Sequence, residues 1–227
     1  MNIDLRTKTL LGDDFDKIKN FKIVVIGLGG VGSIVPISLV RTGVKNLIIV
    51  DKDKVEESNL NRQIAYNRHD LGEFKSIALK NHLIDIIDDI EITEIHKSID
   101  ESFDFSILDG TDYIVDCIDD LNAKVLLVEE CTKRNLNIIS SLGMGNKVDP
   151  SKVIITKLNK TTTDPLAKKF RYILRQKGVD ISKIDVAFSL EEPIIRDRIV
   201  SSVVFVPNSA GLNISSYIIR KLIGWIW

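Results

Sequence analysis

Apolar and polar positions keep two alternating rhythms through the first 145 residues. Residues 21–27 (FKIVVIG) are a short, nearly continuous apolar run rich in β-branched side chains, the pattern of a parallel strand covered on both faces. The run stops at glycines, and 33–43 (SIVPISLVRTG) takes up helical spacing that ends at Gly43, a natural C-cap. Pro36 falls in the first turn of that helix, where a missing N–H costs little. The unit then repeats. Residues 46–51 predict a second strand, 74–88 a helix and 91–99 a third strand, while 112–119 and 137–145 predict two more strands around a helix at 121–135. Strands alternating with helices in this way predict an α/β fold with a doubly wound, mostly parallel sheet.

After residue 146 the rhythm changes. Residues 151–158, 185–190 and 201–207 predict strands with one helix, about 164–177, among them, so the sheet is expected to continue in a mixed or antiparallel sense. No linker rich in Gly, Pro or Ser interrupts the chain, and no repeat is present. One domain over 1–227 is expected, with a nucleotide-binding half (1–146) and a half for substrate and dimer contacts (147–227). The C-terminal stretch 209–227 is apolar but holds Asn213, Ser215, Ser216, Arg220 and Lys221. A membrane span needs about 20 mostly apolar residues, so a packed amphipathic helix is expected, with a dimer interface as one place for it. The N-terminal MNIDLRTKTLLGDD carries acids and no long apolar run, so no secretory signal is expected.

Composition narrows the chemistry. With 44% hydrophobic and 28% charged residues, the chain reads as an ordinary globular protein rather than a disordered one. Its two cysteines, Cys117 and Cys131, lie in apolar runs and form no CxxC pair, which argues against a zinc site of paired cysteines and against a disulfide framework, and fits a reducing cytoplasm. His69, His82 and His96 show no ligand spacing. The formal charge of −1 hides an asymmetry: Lys147 to Lys177 holds nine Lys/Arg against two Asp, a net +7, which leaves about −8 on the rest. A polyanionic partner and a solvated lysine-rich surface both account for it.

The glycine turn GLGGVG carries the most specific chemistry. Gly27, Gly29 and Gly32 match G-x-G-x-x-G directly after a strand and before a helix. The first allows the tight turn, the second lets backbone approach a phosphate, and the third lets helix and strand pack closely. Gly30 lies in the same turn. Asp51 ends the second strand 19 positions past Gly32, where a carboxylate can hydrogen-bond a ribose, and Asp53 follows it. Together these features predict a Rossmann-like nucleotide site. Behind them stand Asn59, Asn61, Arg62 and Gln63, with Lys75 thirteen residues past Arg62 at a helix start. Cations on phosphates suit an enzyme that splits a triphosphate, because charge builds there in the transition state. Arg62 and Lys75 are therefore expected at the pocket surface. Asp119, at the end of the fourth strand, lies at the sheet edge where ligands bind and can hold magnesium.

The segments GLGGVGS, VDKDKVEESNLNRQ, LGEFKS and VDCIDD, in this order, resemble the adenylating-enzyme superfamily of ubiquitin-activating enzymes and the bacterial ThiF and MoeB proteins. In that superfamily ATP activates a carboxylate as an acyl-adenylate. The resemblance implies Asp51 on the ribose, Arg62 and Lys75 on the phosphates, Asp119 near magnesium, and Asn59 and Gln63 shaping the pocket. It also matches Arg6, in LRTKTLLG, to an arginine that reaches across a homodimer to the partner's phosphates. The later segments 161–178, 185–193 and 201–224 are similar to tRNA threonylcarbamoyladenosine dehydratases, although the stretch from Glu192 to Ser201 is shorter than that family's. This implies ATP-dependent cyclisation of N6-threonylcarbamoyladenosine in tRNA, with Lys168, Lys169, Arg171 and Arg175 on the RNA. The alternative is an adenylyltransferase that activates the C-terminus of a ubiquitin-like sulfur carrier; a non-catalytic nucleotide-binding module is the third reading. The resemblance leaves a partner from a cysteine-desulfurase system open.

Overall fold

Burial on both faces is what turns the apolar runs into strands. The computed structural model describes residues 3–162, 164–195 and 200–225. Among them seven strands form one sheet: β1 (Lys22–Ile26), β2 (Asn46–Val50), β3 (Glu91–Ile95), β4 (Tyr113–Asp116), β5 (Ile138–Ser141), β6 (Val153–Lys157) and β7 (Asp185–Ser189). The spatial order is β3-β2-β1-β4-β5-β7-β6, parallel throughout except for β6, which runs antiparallel to β7. Successive side chains of β1 go to opposite faces. Ile23 and Val25 join one core with helices α3 (Ile34–Thr42), α4 (Lys75–Ile84) and α7 (Phe205–Leu222). Val24 and Ile26 join the other, with α5 (Leu121–Lys133) and α6 (Pro165–Gln176). Two short helices, α1 (Leu5–Leu11) and α2 (Asp14–Ile18), precede β1 and complete the set.

The expected doubly wound sheet is therefore present, extended by a mixed C-terminal part. One expected strand is not. Residues 201–204 are irregular and Phe205 begins α7. The run SSVVFVP is strand-like by composition, but Val206, Ala210, Ile214 and Ile218 recur every fourth residue and all face the core. Pro207 sits in the first turn of α7, where it is compatible with a helix. A Cβ on Gly211 would lie 2.5 Å from the Val31 carbonyl oxygen, so only glycine lets α7 lie this close to the turn after β1. The C-terminal helix is thus largely a core element. No helix of the described residues is long and apolar enough to cross a membrane. The expected strand at 112–119 also ends early, at Asp116, which leaves Cys117 and Asp119 in the following turn. The shortened stretch 192–201 lies partly outside the described residues, at 196–199.

Asp185 ties the mixed part to the rest. Its carboxylate is buried at the start of β7 and pairs with Lys157 Nζ of β6 at 2.6 Å and Lys221 Nζ of α7 at 2.7 Å. The Tyr113 hydroxyl of β4 donates to it at 3.3 Å. Burial alone would raise the Asp185 carboxyl, but the hydrogen bonds from Lys157 and Lys221 outweigh it and hold the group below its ordinary value. A depressed carboxyl contributes stability above its unfolded value of about 3.9 and loses it as pH falls through the folded one. Asp185→Asn should lower unfolding free energy at neutral pH by about 1–3 kcal/mol, since the two lysines are partly exposed and regain water. Denaturant melts from pH 7 to pH 3 should show a shallower acid slope in the variant than in the wild type.

Candidate active site

The order of strands reverses between β1 and β4, and the cleft opens at the carboxyl ends of these strands, where such sheets bind ligands. Its volume is about 870 Å³. The glycine turn forms its floor. Gly27 has φ +86° and a Cβ there would sit 2.6 Å from the Cys117 carbonyl oxygen, while a Cβ on Gly32 would sit 1.8 Å from Gly27 O. These two glycines hold β1, α3 and the turn after β4 in contact. Gly29 differs: the nearest atom to an added Cβ is Gln63 Nε2 at 3.9 Å, so its bare backbone faces open space. Gly29 and Gly30 line the cleft, whereas Gly32 is a packing glycine beneath it.

Asp51 follows β2 and is buried at the cleft wall. Its Oδ2 accepts from the Leu28 N–H at 2.5 Å and its Oδ1 from the Asp53 N–H at 2.8 Å. Burial raises this carboxyl above its ordinary value, against the pull of both N–H groups. The carboxylate is fixed by backbone yet keeps lone pairs for a diol. Tyr66 donates to Leu28 O at 3.0 Å and so braces the same turn.

The polar run behind Asp51 divides into separate tasks. Asn59, buried, lines the cleft; its Oδ1 accepts from the Glu56 N–H at 3.3 Å and closes the turn at 56–59. Gln63 is buried at the cleft wall, with Oε1 unpartnered among the described residues. Arg62 lines the cleft half-buried, its Nη1 donating to Ser58 O and Asn61 Oδ1, both at 2.9 Å. Asn61 does not line the cleft; its Nδ2 donates to Ser202 O at 3.0 Å. Lys75, expected at the pocket surface, is instead buried at 5% exposure, with Nζ 3.4 Å from Asp53 Oδ2 at the cleft wall. The first turn of α4 places it there, because its backbone N–H donates to Asp53 O at 3.0 Å.

Asp119 is exposed at the cleft, in the turn between β4 and α5. That turn is set by a pair that composition does not reveal. Asp116 and Lys124 are both fully buried, 2.9 Å apart, and Asp116 Oδ1 also accepts from the Ile118 N–H at 3.1 Å. The signal was an acid ending a strand and a lysine in an otherwise apolar helix face eight residues on. Sequence reasoning also passed over Lys97 and Ser98 after β3, Ser141 at the end of β5 with Leu142–Gly145 after it, Ser202, and Pro207 in α7, all of which line the cleft. Most of these come from loops, and none belongs to a motif of its own.

Two sets of expected residues lie elsewhere. Arg6 lines a separate apolar groove with Leu212 and Arg220, not this cleft. In the +7 segment Lys147 is buried and donates to Gly143 O at 2.9 Å, its ammonium lowered by burial. Lys157 serves Asp185, Lys177 pairs with Glu129 at 2.9 Å, and Arg171 is half-buried and donates to Thr161 O at 2.8 Å. The segment is therefore not one cationic face. Lys168, Lys169 and Arg175 are exposed on α6, and Leu166 at its start lines the cleft. Cys117 lines the cleft and Cys131 is buried in the core; burial pushes each thiol up to about 12, so neither supplies a thiolate.

A bare glycine backbone, a fixed carboxylate, two cations and an orphaned amide acceptor fit a nucleoside triphosphate. For a metal, Asp119 offers one exposed carboxylate, and among the described residues no three His, Cys, Asp or Glu side chains converge. Such a donor set suits magnesium, which keeps waters and takes ligands from phosphates, and does not suit an all-protein cage.

Comparison with known proteins places this geometry. The ThiF family model matches residues 4–180. The tRNA threonylcarbamoyladenosine dehydratase of Bacillus subtilis is 33% identical over 96% of this chain and 93% of its own. The crystal structure of the Escherichia coli tRNA N6-threonylcarbamoyladenosine dehydratase in complex with ATP has a TM-score of 0.91 at 27% identity, covering 97% of this chain and 93% of that one. The adenylyltransferase and sulfurtransferase UBA4 of Candida albicans is 30% identical over 68% of this chain, but over only 34% of its own length. The chain belongs to the ThiF family, with the tRNA threonylcarbamoyladenosine dehydratases.

Proposed function

We propose that this protein is an ATP-dependent dehydratase that cyclises N6-threonylcarbamoyladenosine in tRNA. The observation that carries this reading is the pairing of a phosphate-ready cleft with the lack of a usable thiol. Burial pushes both thiols up to about 12, which suits ring closure within the substrate and not transfer through an enzyme thioester. Asp51 holds the ribose and Gly29 lets the phosphates approach backbone. Arg62 and Lys75 stabilise the charge that develops on the phosphates as the substrate carboxylate attacks. Asp119 would hold magnesium, which would supply charge neutralisation on the phosphate oxygens. The carboxylate oxygen bonds to a phosphorus of ATP as a phosphoanhydride bond of the nucleotide breaks and the remaining portion leaves. The resulting mixed anhydride replaces a poor leaving group with a good one. The neighbouring carbamoyl oxygen then attacks the activated carbonyl carbon, the bond to the phosphate oxygen breaks, and an N–H proton leaves. A five-membered ring forms with net loss of one water, helped by proximity.

The substrate carboxylate enters beside Ser141–Gly145 and Ser202, the part of the cleft not claimed by the nucleotide residues. The tRNA backbone follows the exposed Lys168 and Lys169, near the end of α6 that meets the cleft; Arg175 lies about 10 Å further along the helix. The reading includes a cytoplasmic location and a homodimer; Arg6 lines a groove apart from this cleft, so it would reach a nucleotide only in a partner's cleft.

Incubation with ATP, magnesium and tRNA bearing threonylcarbamoyladenosine should yield a nucleoside lighter by one water, read by mass spectrometry. Adenylation of a small Gly-Gly carrier with no such nucleoside would move the protein to the carrier-activating branch. Arg62→Ala should keep the melting temperature and lower turnover about 10²-fold. Lys75→Ala should lower turnover as much and also cost some stability, because the lysine is buried; near-wild-type turnover in both variants would remove the phosphate assignment. Affinity for tRNA should fall with salt, at a log–log slope of about −0.7 to −0.9 per phosphate contacted. Reversal of Lys168, Lys169 and Arg175 to Glu should flatten that slope and leave ATP affinity unchanged, whereas an unaltered slope places the RNA elsewhere.

A further inference from the structure

Asn61 stands next to the arginine read as a phosphate cation yet does not line the cleft, and both ends of its amide are hydrogen-bonded. Its Oδ1 accepts from Arg62 Nη1 at 2.9 Å and its Nδ2 donates to Ser202 O at 3.0 Å, across 141 positions of sequence. The orientation of the amide is dictated by chemistry. A guanidinium only donates and a carbonyl only accepts, so the oxygen must face Arg62 and the nitrogen Ser202. Neither an acid nor an apolar side chain of this size serves both ends. On the backbone side Asn208 Nδ2, from the first turns of α7, donates to Arg62 O at 2.8 Å and to Val204 O at 2.7 Å. Two asparagines therefore grip one arginine and the same segment, 200–204.

That segment has no helix or strand to hold it. Its other described anchor is Asn146, which exchanges two hydrogen bonds with Ser201, each 2.7 Å. Val200 and Ser202 line the cleft together with Gly143 and Gly145, at the end where the acceptor carboxylate is read to enter. We propose that Asn61 is a positioning residue that joins Arg62 to this wall, so that the cation on the phosphates and the surface facing the acceptor substrate are ordered as one unit. Arg62 unaided has a long side chain with many rotamers, and holding it in one is what makes it effective in a transition state. Ser202 and Asn208 lie beyond residue 180, outside the stretch that the ThiF family model matches. The brace thus connects the family-wide nucleotide half to the part of the chain that faces this branch's own substrate. The inference rests on the reading of Arg62 as a phosphate cation.

Two measurements test it. In hydrogen exchange on the full-length protein, a non-hydrolysable ATP analogue should slow exchange at residues 27–33 and also, by about threefold or more, at 200–204. Asn61→Ala should keep the first effect and lose the second. Asn61→Asp keeps an acceptor for Arg62 but faces the Ser202 carbonyl with a carboxylate, so it should also lose the second. Retention of the effect at 200–204 in Asn61→Ala, or its lack in the wild type, overturns the brace. In turnover, Asn61→Ala should lower kcat by about tenfold or more, with ATP dissociation constant and melting temperature little changed. In an Arg62→Ala background the same substitution should cost less than about twofold, because it acts through the arginine; a full second loss overturns the proposal. If the wild type forms no cyclised nucleoside, the dehydratase reading falls while the exchange experiment still decides the brace. A wild type in which the analogue leaves 27–33 unprotected removes both.

Discussion

Contact of backbone with backbone at the glycine turn is the constraint on which the rest of the structure depends. Gly27 lies against the Cys117 carbonyl and Gly32 against Gly27 itself, at distances no Cβ tolerates. The β1 strand, the N-terminal end of α3 and the turn after β4 thereby meet at one point. Several elements take their position from it. Asp51 is aimed by the Leu28 N–H, Tyr66 by the Leu28 carbonyl, and α7 by the close approach of Gly211 to Val31. A chain that could not make this contact would have neither the cleft nor the helix that walls it.

Around that point the protein manages charge by fixing it before any ligand arrives. Asp51 is held by two N–H groups, Lys75 is buried beside Asp53, and Arg62 is gripped by Ser58 and Asn61. The fully buried Asp116–Lys124 pair sets the turn that exposes Asp119. Burying such a pair is costly unless its geometry is good. What this one gives in return is a rigid turn. Preorganised charges of this kind need no rearrangement when charge develops on a bound phosphate, which is where electrostatic catalysis gains most.

The basic segment shows how a charge count misleads when side-chain partners are unknown. Of its nine cations, Lys147 is enclosed by the protein, Lys157 and Lys177 neutralise Asp185 and Glu129, and Arg171 serves a backbone carbonyl. The exposed cations left on α6 are fewer and sit toward its two ends. Lysine and arginine stems pack well along apolar surface, so a basic residue in a linear window is no guide to which way its head group turns.

Local sequence by itself determined the parallel sheet, the order of its strands and helices through residue 146, the glycine turn with its Asp51, and the cations Arg62 and Lys75. Each depends on short-range signals: apolar period, glycine spacing, an acid at a strand end. The C-terminal half was legible only in part. The strand-like SSVVFVP became loop and helix because a four-residue apolar repeat running from Val206 to Ile218 finds a core to bury against, which outweighs β propensity over a few residues. Only the tertiary structure could separate Asn59, which closes a turn, from Asn61, which spans to Ser202, since the same side chain does either according to what lies 141 residues away. It alone decided that Lys75 is buried, that Lys147 faces inward, and that Asp116 and Lys124 form a pair. Long-range pairing of polar groups leaves no periodic trace in a sequence, because each partner obeys the local rules of its own element.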